Sequence, residues 1–335
     1  MTAVATELGR EFSVARGLVH VRALSEIFLS DSARVGRDAY VAAFQLPRTH
    51  GLWGDRQPGH HDPVVSLEVG RQAVFLTLHH HCEVPANWKF VLRRVDFRVV
   101  DIEAYADDGV RPPEGVANVR LVSRTDTHGH LDATFEGELL VGDRTAMVMS
   151  ADITVLSPYN YTLLRAKGRG RRPRDGTDPF GTGRRKLDPE LVGRLGPRNV
   201  VLYDLDPDAP ADAPEQAFGL VVDESHPAYF DHPHDHVTGS LILEFCRQAG
   251  IATARRLEGL SAGAQVTGCS MSFAEFAELD SRTECRASVA RVTGRGDVLV
   301  DVRLIQFGEE IATVQLQLSE PPPSPAASTD PPADG

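Results

Sequence analysis

Glu68, Arg71 and Gln72 stand in a motif, E-x-x-R-Q-A, that returns as Glu244, Arg247 and Gln248. A carboxylate among apolar neighbours is a group whose proton affinity burial can tune, and an arginine three residues on is a planar fork for phosphates and carboxylates. Each motif follows a histidine-rich loop, HGLWGDRQPGHHDPVV in the first copy and HPAYFDHPHDHVTGS in the second. Histidine titrates near neutrality, so such a loop can exchange protons with a bound molecule. The second loop holds Asp231-His232, whereas Asp55-Arg56 stands at the matching place in the first.

The two copies keep one offset without a gap, since 226 − 50 = 244 − 68 = 176. His50 falls on His226, Asp55 on Asp231, Glu68 on Glu244, Arg71 on Arg247 and Gln72 on Gln248. A surface ion pair at i,i+3 would be the plainer account of either motif, worth a few tenths of a kcal/mol. Surface pairs drift freely under substitution, so their recurrence at matched places argues for a duplicated functional unit.

Both motifs need a helix to carry them. The patterning predicts helices starting near Val64 and Gly239, the second running without proline from Ser240 to Arg256. Glu68 then shares a face with Val64, Val65, Arg71, Gln72 and Phe75, and Glu244 with Ser240, Leu241, Arg247, Gln248 and Ile251. Around the first helix, Leu18–Asp31 and Tyr40–Leu46 read as short strands or a strand and turn, followed by alternating runs at Trp88–Tyr105, Ala117–Asp126, Leu131–Val141 and Thr145–Leu156. The order repeats in Asn199–Tyr203, Gln216–Val222, the second helix, and then Gln265–Phe276, Thr283–Val292, Asp297–Gln306 and Glu310–Leu318.

One long helix followed by a curled antiparallel sheet, twice over, is the plan of a tandem double hotdog of the α+β class, each sheet wrapped around its helix. Two such units pair their sheets edge to edge, which removes two exposed edges. The expected organisation is a loose lead-in over 1–16, unit 1 over 17–160, a basic Gly/Arg-rich linker over 161–198, unit 2 over 199–318, and a disordered Pro-rich tail over 319–335. The linker reads either as a solvated connector or as a patch, Arg169–Arg174 with Arg184–Lys186, that docks an acidic partner.

Composition narrows the classes. The chain has 335 residues, 41% hydrophobic and 24% charged, enough for one large or two medium domains. A formal net charge of −12 argues against a nucleic-acid binder. The absence of an apolar run of roughly 18 residues, or of a secretory leader, points to a cytoplasmic protein without membrane contact. Cys82, Cys246, Cys269 and Cys285 have no metal or disulfide spacing and read as reduced thiols. His232, His234 and His236 alternate, and His79-His80-His81-Cys82 ends the first helix, but neither set has a second ligand pair at metal spacing. No dinucleotide or phosphate loop is present, so neither a metal nor a cofactor is expected.

The segment FDHPHDHVTGSLILEFCRQAG resembles the signature of 3-hydroxyacyl-carrier-protein dehydratases, in which a His-containing loop precedes a Gly and a helix bearing a catalytic Glu. More closely, LVHVRALSEIFLSD, QLPRTH, DPVVSLEVGRQA and the second loop and helix together are similar to the A-factor biosynthesis hotdog-domain family, from about Leu18 to Leu318. That resemblance implies an acyltransferase that moves a β-ketoacyl group from acyl carrier protein to the hydroxyl of dihydroxyacetone phosphate. The product would lead to a γ-butyrolactone, butenolide or furan signalling molecule. The first loop departs from the family pattern, which has Asp-His where this chain has Asp55-Arg56, so the resemblance implies one complete site rather than two.

In such a site His232, with Asp231 beside it, is the candidate base for the attacking hydroxyl, and Glu68 or Glu244 orients the imidazole or acts as base itself. N–H groups at the helix start around Gly239 stabilise the oxyanion. Arg71 or Arg247, with Gln72 and Gln248 beside them, hold the acceptor's phosphate. By analogy with dehydratases the loop and the helix come from different units, which joins Asp231 and His232 to Glu68 and Arg71. A homodimer is among the expected assemblies. Two other functions stay open on the same residues: a dehydratase or thioesterase acting on acyl thioesters, and a non-catalytic binder of a lactone or acyl chain.

Overall fold

A computed structural model of the chain describes residues 7–172, 176–178, 180–181 and 183–321. Twelve antiparallel strands form one sheet in the order β1-β2-β4-β5-β6-β3-β9-β12-β11-β10-β8-β7. In unit 1 these are β1 (Leu29–Arg34), β2 (Ala39–Gln45), β3 (Lys89–Val99), β4 (Glu114–Thr127), β5 (His130–Val141) and β6 (Arg144–Leu156). In unit 2 they are β7 (Leu202–Asp204), β8 (Glu215–Leu220), β9 (Gln265–Phe273), β10 (Glu284–Val292), β11 (Val298–Gln306) and β12 (Glu309–Ser319). Read outward from the centre, both halves have the same order, and they meet where β3 pairs with β9, Arg94 opposite Ser272 and Phe97 opposite Cys269. This is the tandem double hotdog, with the joining edges consumed inside one chain.

Helix α1 (Val65–Leu76) packs on unit 1's sheet, and the later helix of Gly239–Glu258 packs on unit 2's. Asp62 Oδ1 accepts from Val64 N at 3.0 Å just ahead of α1, and Thr238 Oγ1 caps the later helix by accepting from Leu241 N at 3.3 Å. The small residues Ala249, Gly250, Ala252 and Ala254 let the unit 2 helix lie close to the sheet; at Gly250 an added Cβ would come within 2.6 Å of Leu316 Cδ1. Alternation does the rest: β11 buries Val298, Val300, Val302 and Leu304 on one face while Asp301 and Arg303 stay exposed.

Of the two readings of Leu18–Asp31, the structure has turns and then a strand: the chain makes single 3-10 turns at Arg16–Leu18 and Leu24–Glu26, and β1 starts only at Leu29. The cause is Gln72, whose Oε1 accepts from Phe28 N at 3.0 Å and whose Nε2 donates to Glu26 O at 2.7 Å, occupying groups a strand partner would use. Gln248 does the same to Val201 N (3.0 Å) and Asn199 O (2.6 Å), so β7 starts at Leu202.

The stretch read as a linker over 161–198 opens inside a helix, α2 (Pro158–Arg171), started by Ser157, whose Oγ accepts from Asn160 N, and by Pro158 in the first turn. The Gly239–Glu258 helix is therefore α3. Helix α2 leaves the end of β6 and is tied to unit 2: Arg165 bonds Glu278 at 2.9 and 2.7 Å, and Arg169 bonds Glu278 at 2.7 Å. Residues 322–335 of the expected tail, and Arg174 of the expected docking patch, lie outside the described residues.

Candidate active site

Each histidine-rich loop reaches across to the other unit. Asp231 of unit 2's loop accepts from Arg22 N of unit 1 at 2.6 Å. Asp55 of unit 1's loop accepts from Leu195 N at 2.8 Å, Gly196 N at 3.1 Å and Asn199 Nδ2 at 2.7 Å, ahead of unit 2's first strand. The exchange is reciprocal, as the repeat demands. His50 and His226 hold the loops' bases in matching fashion, His50 Nε2 against Glu26 at 3.1 Å and His226 Nε2 donating to Asn199 Oδ1 at 2.9 Å.

The helix motifs are built alike and then diverge. Gln72 Nε2 reaches Glu68 Oε1 at 2.7 Å and Gln248 Nε2 reaches Glu244 Oε1 at 2.5 Å, so both amides are consumed by protein groups. In unit 1, Arg71 forks onto Glu68, Nε to Oε2 at 2.8 Å and Nη2 to Oε1 at 2.6 Å. Its guanidinium lies 4.8 Å from the centre of the Phe75 ring and keeps 34% of its side chain accessible. Burial works against that charge, but Glu68 and then Asp231 raise the Arg71 pKa above its ordinary value.

In unit 2 the matching carboxylate is sealed. Glu244 is 3% exposed and is bound by Arg194, Nε to Oε1 at 2.9 Å and Nη2 to Oε2 at 2.6 Å. Arg194 also donates to the carbonyls of Leu52 (3.1 Å) and Asp55 (3.0 Å) in the crossing loop. Arg247 is left with Asp62 at 3.2 Å and Glu244 at 3.4 Å, and is 4% exposed. No motif marked Arg194; it lies in the basic stretch read as a linker, and only its place just ahead of unit 2's first strand could have singled it out.

Facing α1 is the intact loop. His232 Nδ1 is in short contact with Asp231 Oδ1, which leaves Nε2 without a hydrogen-bond partner among the described residues. Arg56, at the matching place in the first loop, instead pairs with Asp107 at 2.7 Å, so no imidazole faces Glu244 from there. Glu68, Arg71, Asp231, His232 and Gly239 line one cavity of about 790 Å³. Gly239, the first residue of α3, is exposed there with open space around it. The cavity continues between α1 and the sheet along Leu67, Val74, Val119, Phe135 and Met149, an apolar slot. Glu244 touches the same cavity, although its oxygens are taken by Arg194 and Gln248.

The cavity's mouth is basic. Lys89 and Arg93 of β3 and Lys167 and Arg171 of α2 line it, none with an ion-pair partner among the described residues. Arg169 and Arg172 of the expected docking patch are instead spent on Glu278, Asp280, Glu275 and Glu309. Asp231, His232 and His234 bring ligand-type atoms within 4.8 Å of one another and are the set that would hold a cation. Asp231 is already shared between His232 and Arg22 N, which commits it to orienting the imidazole. The four cysteines are free, and no helix among the described residues is long and apolar enough to cross a membrane.

The family model of the A-factor biosynthesis hotdog domain matches residues 4–157 and 180–319. A Streptomyces virginiae protein named 2-oxo-3-(phosphooxy)propyl 3-oxoalkanoate synthase is 29% identical over 292 residues, covering 87% of this chain and 92% of its own. A Streptomyces griseus protein of the same name is 29% identical over 239 residues, 71% of this chain and 74% of its own. Among solved structures, a putative thioesterase II from Thermobifida fusca superposes with a TM-score of 0.51 at 16% identity, covering 87% of this chain and 96% of that one, a likeness of fold. With both halves of the repeat inside the matched residues, the chain belongs to the A-factor biosynthesis hotdog-domain family.

Proposed function

We propose that this protein condenses a β-ketoacyl group, carried as a thioester on an acyl carrier protein, with the hydroxyl of dihydroxyacetone phosphate. The reading rests on one observation above all: the Asp231-His232 pair of unit 2 faces the Glu68-Arg71 pair of unit 1 across a cavity that runs on as an apolar slot. The names of the relatives, a phosphooxypropyl ester of a 3-oxoalkanoate, fit a pocket that offers a cation, a base and a slot for an acyl chain.

In this scheme the acyl chain enters the slot and its thioester carbonyl lies near the start of α3, where N–H groups at Gly239 polarise it. His232 Nε2 takes the hydroxyl proton as the oxygen attacks, and Asp231 keeps the ring oriented and balances the imidazolium. The C–S bond breaks, and the proton passes from His232 to the leaving thiolate. Arg71, aimed by Glu68, holds the phosphate; Glu68 thus acts by positioning Arg71 rather than by taking the proton. The free cations at the mouth receive the acidic carrier.

Incubating the pure protein with a β-ketoacyl thioester and dihydroxyacetone phosphate, then weighing the products, tests the reading. A phosphorylated ester with release of one thiol per ester supports it. Free β-keto acid alone would make the protein a thioesterase, and an unchanged thioester that protects the protein from heat would make it a binder.

A further inference from the structure

His20 is absent from both repeats of the motif, yet the structure brings it to the same cavity. It sits at φ 54°, the left-handed region that a residue with a Cβ adopts at a cost and keeps only when its surroundings impose it. Three rings impose it here. His20 stands edge-on to Phe75 at 5.0 Å and to Phe90 at 5.2 Å, and stacks on His79 at 4.8 Å. Phe75 is the ring that carries Arg71, and two residues beyond His20 the Arg22 N–H holds Asp231.

The hydrogen bonds fix where the protons are. His79, buried in the π-helical turn Thr77–His81 that ends α1, has Nδ1 2.8 Å from Val84 O. A carbonyl only accepts, so His79 Nδ1 carries a proton, and with that one proton on the ring Nε2 is an acceptor. His20 Nε2 lies 2.8 Å from that nitrogen and must be the donor. The lone pair of His20 is therefore on Nδ1, which has no hydrogen-bond partner among the described residues. Burial first, then His79 on its π turn, Arg71 on α1, Lys89 on β3 and His232 on the crossing loop all oppose a second proton and pull the His20 pKa down to about 4. At neutral pH the ring, which lines the cavity, keeps a bare acceptor at Nδ1.

We propose that His20 is a substrate-contacting residue, its Nδ1 accepting a hydrogen bond from an O–H or N–H of the bound reactants, with His79 and Val84 setting its tautomer. The inference rests on the acyl-transfer reading for the identity of those reactants. Two sources carry such a donor: the hydroxyl of dihydroxyacetone phosphate and the amide N–H of the thioester's pantetheine-type arm.

The experiment is ¹⁵N NMR of the histidine side chains in the whole protein at pH 7, with dihydroxyacetone phosphate alone, then with an unreactive pantetheine analogue alone. The free protein should show His20 protonated at Nε2 and bare at Nδ1, and one of the two ligands should shift the Nδ1 resonance; which one identifies the source. His20→Phe keeps the ring packing and removes the acceptor, and should raise KM for that same reactant roughly 3- to 10-fold while leaving the other's unchanged. His20→Asn, which places an acceptor oxygen near the Nδ1 position, should recover part of the loss. A proton on His20 Nδ1 in the free protein, or no Nδ1 shift with either ligand, overturns the proposal, and both are readable in the wild-type protein even if His20→Phe does not fold. Because the titration needs no turnover, a ligand-induced shift in a protein that makes no ester would overturn the transfer reading and leave His20 standing.

Discussion

Arg194 and Glu244 form a buried ion pair at the place where unit 1 leaves Glu68 open, with Arg194 almost fully enclosed at 1% exposure and Glu244 at 3%. The same helical turn, written by the same E-x-x-R-Q-A motif, has thus taken two directions. In unit 1 the arginine of the motif satisfies the glutamate and both border open cavity; in unit 2 Arg194, from outside the motif, takes the glutamate instead. Arg194 reaches there because Asp55 of the crossing loop holds Leu195 and Gly196 by their N–H groups.

That pair makes a stability prediction. Removing one partner of a buried ion pair strands the other charge, which costs about 3–5 kcal/mol. Arg194→Met and Glu244→Gln should each lower the melting temperature by roughly 10 °C, a shift of about 2–4 °C per kcal/mol being usual for domains of this size. Combined, they should cost clearly less than the sum, because the second change removes the charge the first one strands. Additive losses in the melting cycle would show the two residues to be independent.

A second prediction concerns acid. His226 donates to Asn199, is 4% exposed, and burial and then Arg198 pull its pKa from 6.5 to about 4. Below pH 6.5 the unfolded chain takes up the proton while the folded ring does not, so stability is whole above 6.5 and drains as pH falls to about 4. The amount is on the order of 3 kcal/mol at the low end. His61, drawn to about 4 by burial and then by Arg56, adds to the same window. Melts at pH 7 and pH 4.5 should differ less in His226→Gln than in the native protein; an equal difference would mean that His226 is not the titrating group.

A third prediction follows from the basic mouth. Lys167 and Arg171 are one helical turn apart on α2 and carry no ion pair among the described residues. If an acidic carrier docks there, transfer from the carrier-bound donor should weaken as salt rises from about 0.05 to 0.5 M, while transfer from a small thioester mimic should hold steady. Lys167→Glu with Arg171→Glu should raise KM for the carrier by at least about tenfold and leave the mimic's unchanged. Equal salt dependence for both donors would remove the carrier from the mouth.

The duplication and the tandem hotdog were legible because they are periodic: an offset of 176 residues, one helix per half and alternating strands leave a pattern in sequence. The cross-unit sharing of loops was legible only by analogy, since nothing in one dimension says which helix a loop will face. In sequence Gln72 and Gln248 read as ligand contacts, because the backbone groups that their amides clamp lie more than 40 residues away. Helix α2 was hidden by its own composition: LLRAKGRGR has two glycines and four cations, poor local helix stock, and it is ordered by Arg165 and Arg169 meeting Glu278, a residue more than 100 positions on. Arg194 had no motif to mark it, and His20 lies in LVHVRALSEIFLSD with nothing in sequence to single it out; the partners of both are supplied only by folding.

The last prediction is the division of labour between the two repeats. Glu68 aims Arg71 into the cavity and His232 is braced by Asp231, whereas Glu244 is locked by Arg194 and Gln248. Glu68→Gln keeps the shape but loses the charge that sets the Arg71 fork, so kcat/KM for dihydroxyacetone phosphate should fall, mostly through KM. His232→Ala should remove the base and lower kcat by about 10²–10⁴, and Asp231→Asn should follow it in part, since the ring loses its orienting carboxylate. His232→Ala together with Asp231→Asn should be little worse than His232→Ala alone, because the two act as one unit. Glu244→Gln should instead show its effect in the melt, with turnover per folded molecule close to native. The measurement is steady-state turnover of each variant beside its melting curve. Loss of turnover in well-folded Glu244→Gln, with Glu68→Gln unimpaired, would move the working site to unit 2 and require Arg194 to leave it.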